Sequence, residues 1–375
     1  MIKREIQGRI EKRLFAGKII VIYGARQVGK TTLIHSISNG LNTEETLFLN
    51  CDEPDVRSLL ADVTSTQLKV LIGSKKIIFI DEAQRVKNIG LTLKLLADTL
   101  PERQIVVTGS SSLDLANAVV EPLTGRKYEI QLHPLSLREL TDRYTPLELQ
   151  RLLEHWMIYG LYPEVVTKMA EAASLLPELA SSYLYKDVLQ FQDIRKPELL
   201  ERMLQALALQ IGSEVSYNEL ANTLRVSKET ISHYIELLEK SFVIFRLAPF
   251  NRNLRNELSK MRKIYFYDLG IRNAIIRNFN PLHLRADVGA LWENFLICER
   301  LKNNTNSRTF LNSYFWRTHQ QQEIDYLEEA GGKLSAFEFK WKPGIWKLPN
   351  AFSSAYPDST GSEVNPKNFM EFLGI

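Results

Sequence analysis

The first third of the chain carries short, unbroken apolar runs. Residues 19–23 read Ile, Ile, Val, Ile, Tyr; residues 77–80 read Ile, Ile, Phe, Ile; and Ile105, Val106 and Val107 form a third run. Such runs suit strands buried on both faces, as in a parallel sheet covered by helices. Between them apolar residues recur at helical spacing, at Leu33, Ile34 and Ile37 and again at Leu93, Leu96 and Leu100. The alternation of these two patterns predicts an α/β layer with a parallel sheet over residues 1–140.

Past Pro134 the strand-like runs stop. Stretches 147–166 and 175–209 read as helices punctuated by Pro163, Pro177 and Pro197, which makes residues 141–213 a helical segment. Residues 218–224 then form a short helix, Arg225 and Val226 a turn, and Ser227 caps a second helix with Ile231, Tyr234, Ile235 and Leu238 on one face. Strand-like runs at 242–245 and 263–267 follow, so residues 214–268 match a helix-turn-helix backed by a two-stranded wing. In the remainder, 269–375, a helical stretch at 291–297 is followed by a strand-like run at 314–318. Two further runs, 323–327 and 337–340, alternate with period two across a turn at Gly331 and Gly332.

Residues 24–31 read Gly, Ala, Arg, Gln, Val, Gly, Lys, Thr, directly after the first strand and before an amphipathic helix. Gly24 and Gly29 let the backbone curl until several N–H groups face one anion, with Ala25, Arg26, Gln27 and Val28 between them. Lys30 reaches phosphate oxygens, Thr31 offers its hydroxyl to Mg²⁺, and Thr32 continues the helix whose positive end faces the same charge. This is a phosphate-binding loop for a nucleoside triphosphate.

The second strand ends in Asp81 and Glu82. Asp81 suits the water shell of Mg²⁺ and Glu82 suits the attacking water, although an acidic pair there would equally cap the next helix. Gln84, in the same loop, lies within reach of the γ-phosphate. The third strand ends in Thr108, Gly109, Ser110 and Ser111, where Thr108 is the first choice for bonding the attacking water and capping is the alternative. Arg126, after Gly125, suits either a trans-acting arginine finger in a homo-oligomer or a surface salt bridge.

Taken in order, these motifs resemble the AAA+-like archaeal-type ATPases of bacteria and archaea. That resemblance implies ATP and Mg²⁺ as cofactors, a P-loop core with a helical lid, a winged helix-turn-helix and a small α/β C-terminal domain. Residues 160–164, Gly, Leu, Tyr, Pro, Glu, resemble the family's lid signature, and residues 183–187 its following helix. Related motors have an arginine where this chain has Glu164, which points away from fast cycling.

On the second helix of the helix-turn-helix, Lys228, Ser232 and His233 face outward. Arg246, Arg252, Arg255, Lys260, Arg262 and Lys263 cluster in and beside the wing, an arrangement suited to phosphate contacts on DNA. Glu229, Glu236 and Glu239 dilute that charge, and protein docking is the alternative. In the C-terminal part, Asp325, Glu338 and Lys340 meet across the hairpin. They resemble the Asp, Glu-x-Lys signature of restriction-endonuclease-like folds, with Glu293 resembling the extra helix acid of some Holliday-junction resolvases. A metal-dependent nuclease site is one reading of the four, and a structural hydrogen-bond network under Trp316 and Arg317 is the other.

The 375 residues suffice for two to three cores, and the net charge of +3 is too small to imply a polyanion partner by itself. Cys51 and Cys298 have no metal-ligand spacing and read as reduced thiols of a cytoplasmic protein. No signal peptide and no apolar window of about 20 residues is visible, so no membrane association is expected. Two functional readings remain: ATP hydrolysis coupled to DNA, or a slow nucleotide switch acting on a protein partner.

Overall fold

The computed structural model describes residues 2–110, 123–183, 197–250, 262–318 and 320–375. It divides into two compact units, residues 3–134 and the greater part of residues 135–375.

The first unit is built on strands β1 (Ile19–Tyr23), β2 (Thr46–Asn50), β3 (Ile77–Asp81), β4 (Gln104–Gly109) and β5 (Lys127–Gln131). All neighbours pair in parallel, in the order β2-β3-β4-β1-β5. The apolar runs of β1, β3 and β4 are buried along their whole length because helices cover both faces of the sheet centre. Residues of one face, among them Val21, Ile78, Ile80 and Val107, pack with Leu68, Ile72, Leu93 and Leu96 of the helices Ser65–Ile72 and Ile89–Thr99. The order places β4 between β1 and β3, so the ends of three adjacent strands open on one edge.

The second unit begins with short helices, of which Leu153–Tyr159 buries Trp156 and Met157 completely. That helix stops at Gly160, whose φ of +72° suits glycine. A Cβ there would lie 2.1 Å from Asp268 Oδ1, because the Asp268 carboxylate accepts the next N–H, that of Leu161, at 2.7 Å. The same aspartate caps the helix Leu269–Ile275 through the Ile271 N–H. The lid-like signature at residues 160–164 is thus fixed by one buried side chain more than a hundred residues away in sequence.

Two helices, Tyr217–Leu224 and Lys228–Lys240, stand where the sequence suggests a helix-turn-helix, with Ser216 capping the first and Ile231, Tyr234, Ile235 and Leu238 buried on the second. Strands β6 (Glu214–Val215), β7 (Ile244–Pro249) and β8 (Arg262–Phe266) back it. The C-terminal strands are β9 (Asn312–Arg317), β10 (Glu323–Ala330), β11 (Lys333–Phe339) and β12 (Thr360–Val364). Where the sequence suggested separate parts meeting at residue 268, one mixed sheet runs β12-β11-β10-β9-β7-β8-β6. The junction is a parallel pairing of β7 with β9, extended by the Phe250 N–H donating to Phe315.

The helix Val288–Ser307 lies across this sheet. Asn294 bonds both the N–H and the carbonyl of Phe266 on β8, and Arg300 makes two bonds to Glu328 on β10. Strict alternation in β10 ends at a bulge between Ile324 and Leu327, which lets both enter one apolar cluster with Trp316 and Phe352.

Gly160→Ala therefore forces both a disallowed backbone and a clash, and should lower the unfolding free energy by about 2 kcal/mol or more. Gly331→Ala also has positive φ but meets open space, and should cost about 1 kcal/mol. Urea denaturation followed by tryptophan fluorescence separates the two.

Candidate functional site

The loop after β1 is shaped from below. A Cβ on Gly24 would lie 2.1 Å from the Leu132 carbonyl, so the loop's first turn sits directly on the chain leaving β5. Gln27 and Gly29 have φ of +59° and +95°, left-handed turns of the kind that let successive N–H groups face one anion. Gln27 is a non-glycine residue held there, a strain typical of ligand-binding turns. Ala25 and Val28 are buried beneath the loop, Arg26 is half-buried, and Thr31 and Thr32 are exposed at the start of the helix Lys30–Ser38. Lys30 is 4 % exposed and its ammonium donates to the carbonyls of Gly24 at 2.9 Å and Ala25 at 2.8 Å.

Arg4 completes the loop and was invisible in the sequence, where it lies far upstream of the glycines. Its guanidinium donates to the carbonyl of Val28 and to that of His133, both at 2.7 Å, tying the loop to the end of β5.

At the ends of β3 and β4 the expected residues meet. Thr31 Oγ1 donates to Asp81 Oδ2 at 2.7 Å, and Thr108 Oγ1 donates to Asp81 Oδ1. Thr108 Oγ1 accepts the Glu82 N–H at 3.1 Å. Glu82 adopts φ +52°, another non-glycine left-handed turn, and Gln84 bridges its carboxylate to Ser110 Oγ. Gln84 thus positions Glu82; Ser111 lies outside the described residues. Arg126 is bound to Asp98 of its own unit at 2.8 Å, the salt-bridge alternative, and Glu164 pairs with Lys168.

These residues fit a nucleotide and a divalent ion. Backbone N–H groups and one ammonium suit phosphates, and a hydroxyl bonded to a carboxylate is a hard oxygen pair suited to Mg²⁺.

The carboxylate cluster of the second unit is assembled differently from the expectation. Asp325 and Glu338 do come together, since Asp325 Oδ2 accepts the Phe339 N–H at 2.8 Å and Lys340 donates to Glu338 at 2.6 Å. Glu293 joins them, but it is held by two residues of β8: Lys263 at 2.9 Å and the Tyr265 hydroxyl at 2.6 Å. Lys263 is 2 % exposed and also pairs with Glu323 at 2.5 Å. Its expected place among the phosphate-contacting basic residues is therefore corrected: period two on β8 puts Lys263 and Tyr265 on the face that packs on the helix Val288–Ser307. Among the described residues no three His, Cys, Asp or Glu side chains are grouped to hold a metal ion.

On the helix Lys228–Lys240, Lys228, Ser232 and His233 are exposed, beside exposed Glu229 and Glu236. Arg246 is bound to Glu239 and Tyr217, while Arg252, Arg255 and Lys260 lie outside the described residues, as does most of 183–187. Both cysteines are buried and free, and burial pushes each thiol up to about 12. Among the described residues no helix is long and apolar enough to cross a membrane.

Fold and loop together define a P-loop nucleotide-binding unit. Residues 16–141 match the model of a family described as AAA domain, residues 288–368 that of a domain of unknown function, DUF4143, and residues 150–282 that of another, DUF8612. In chain order these regions are thus similar to an AAA domain, to DUF8612 and to DUF4143. It is 29 % identical over 344 residues to an uncharacterized protein of Mycobacterium tuberculosis, covering 90 % of this chain and 74 % of that one. An uncharacterized protein of the archaeon Methanocaldococcus jannaschii is 26 % identical over 340 residues, with 85 % and 74 % covered. Among solved structures, Pif1 helicase from Candida albicans aligns at TM-score 0.28 and 15 % identity over 48 % of each chain. The Saccharomyces cerevisiae Hsp104–ADP complex aligns at 0.32 and 14 % identity, covering 82 % of this chain and 44 % of that one. Scores at that level do not establish a common fold over the aligned lengths.

Two predictions concern these sites. Arg4→Met removes two charge-assisted bonds that shape the loop and should raise the dissociation constant of a fluorescent ATP analogue about tenfold. The second concerns Glu293, whose carboxyl burial raises to about 7 although Lys263 and Tyr265 oppose the shift. Lys263 and Tyr265 of β8 and Asp325 of β10 act on it, the first two lowering and the last raising its proton affinity. The folded chain holds this proton more tightly than the unfolded one, so stability falls as pH rises from the ordinary glutamate value to about 7. Glu293→Gln should flatten the pH dependence over that window; parallel curves for the two proteins would refute it.

Proposed function

We propose that the protein hydrolyses ATP with Mg²⁺ and couples the nucleotide cycle to DNA through the helix-turn-helix of its second unit. The observation that carries the ATPase reading is the bonded network of Thr31, Asp81, Thr108 and Glu82 at the ends of adjacent strands. Lys30 and the loop N–H groups bind and orient the phosphates, and Thr31 with Asp81 would hold the ion. Mg²⁺, when bound, supplies neutralisation of the phosphate charge. Glu82 orients the attacking water and accepts its proton, with its backbone fixed by Thr108 and its carboxylate by Gln84. Thr108 thereby acts through Asp81 and Glu82, and Gln84 through Glu82 alone.

The DNA reading rests on the exposed Lys228, Ser232 and His233 of the second helix, which suit backbone contacts more than base reading. A second reading, a slow nucleotide switch acting on a protein partner without nuclease activity, is favoured by three observations. The exposed helix face is of mixed charge, Arg246 is neutralised by Glu239, and Glu164 stands where motors have an arginine. A trans role for Arg126 would require it to leave Asp98 when copies assemble.

The test is steady-state ATP hydrolysis with Mg²⁺ during titration with duplex and branched DNA. Glu82→Gln should keep ATP binding and lower turnover by about a hundredfold or more. Stimulation by DNA that fades with added salt supports the first reading. Turnover that depends on Glu82 but ignores DNA leaves the switch.

A further inference from the structure

Three carboxylates from two elements act on Lys263: Glu293 from the long helix, and Glu323 and Asp325 from β10, with Glu338 of β11 beside Asp325. Carboxylates can ligate a divalent ion, yet among the described residues these are not grouped to hold one. Here the cationic position is already filled. The Lys263 ammonium bonds Glu293 at 2.9 Å and Glu323 at 2.5 Å and lies 5.4 Å from the Phe315 ring centre, with 2 % of the side chain exposed. Asp325 is turned to the Phe339 N–H, and Lys340 occupies one oxygen of Glu338. The other, Glu338 Oε2, is buried without a hydrogen-bond partner. Burial raises both Asp325 and Glu338, with Glu323 adding to the first and Asp325 to the second, which leaves less charge for a metal.

We propose that Lys263 is the resident cation of this cluster, standing in for a divalent ion, and that the cluster is a metal-free lock joining β8 to the long helix and to β10. The donor set does not fit a nuclease metal site: its strongest acceptors are committed to an ammonium that enters from β8, a strand outside the hairpin. Lys263 on β8 also stands opposite Glu214 of β6, so the lock fastens the strands behind the two helices to the C-terminal hairpin. This inference is independent of the nucleotide reading.

The test counts bound Mn²⁺ by the loss of the free-ion electron paramagnetic resonance signal, on the full chain without nucleotide. Ions held near Thr31 and Asp81 cancel because each protein is compared with its own Asp325→Asn variant. Wild type and Asp325→Asn should bind equal amounts at about 1 mM Mn²⁺. Lys263→Met should gain one ion per chain, and Asp325→Asn in that background should remove it. Since Lys263→Met leaves buried acids unpaired, Lys263→Met with Glu293→Gln is measured too, and circular dichroism identifies which variant is folded. A wild-type ion that Asp325→Asn abolishes would overturn the proposal, and so would a folded Lys263 variant that gains none.

Discussion

Asp81 carries the first unit's chemistry on a single buried carboxylate. One oxygen takes the hydroxyl of Thr31 from the helix after the loop, and the other takes Thr108 from β4. Because β4 lies between β1 and β3, that carboxylate fixes the edge of the sheet where the loop, the acidic pair and the polar end of β4 converge. A parallel sheet with both faces covered is what makes the arrangement possible. Its strands need no polar residues along their length, so polar groups collect at the ends.

Much of this edge was legible in the chain. The apolar runs marked the central strands, and the glycines, Lys30, Thr31, Asp81, Glu82 and Thr108 stood at their ends in readable order. Arg4 was not legible, because its role arises from a carbonyl presented by the loop and another by the chain leaving β5, and carbonyls leave no mark in a sequence. Lys263 was misread for a related reason. Charge alone suggested solvent, and only the packing of β8 under a helix whose Glu293 faces it shows where an ammonium is needed. The hairpin of Asp325 and Glu338 was readable from its period of two, but the bulge after Ile324 was not, since nothing local requires the extra residue.

Buried polar side chains do the joining in the second unit. Asp268 receives an N–H from the end of one helix and starts another, Glu299 accepts the Leu137 N–H while Lys302 donates to the Leu135 carbonyl, and Asn294 substitutes for a strand neighbour at Phe266. Each satisfies a backbone group that an irregular connection leaves without a partner, which is why buried charge is tolerated at these points. Arg272 and Arg285 sharing Asp287 follow the same rule, and they hold that carboxyl down to about 2.

The shared sheet of the second unit also orders events in time. All five strands of the first unit have been synthesised by residue 131, so that sheet is complete in sequence while most of the chain is still being made. The strands behind the helix-turn-helix have no such independence, for β7 takes β9 as its neighbour and the sheet closes only with β12 at residues 360–364. A nascent chain paused between those points presents the complete five-stranded sheet of the first unit followed by a second sheet with a bare edge, the kind of intermediate that invites pairing with a second chain. Synthesis of β12, rather than of the strands behind the helices Tyr217–Leu224 and Lys228–Lys240, is the step that closes the sheet of the second unit.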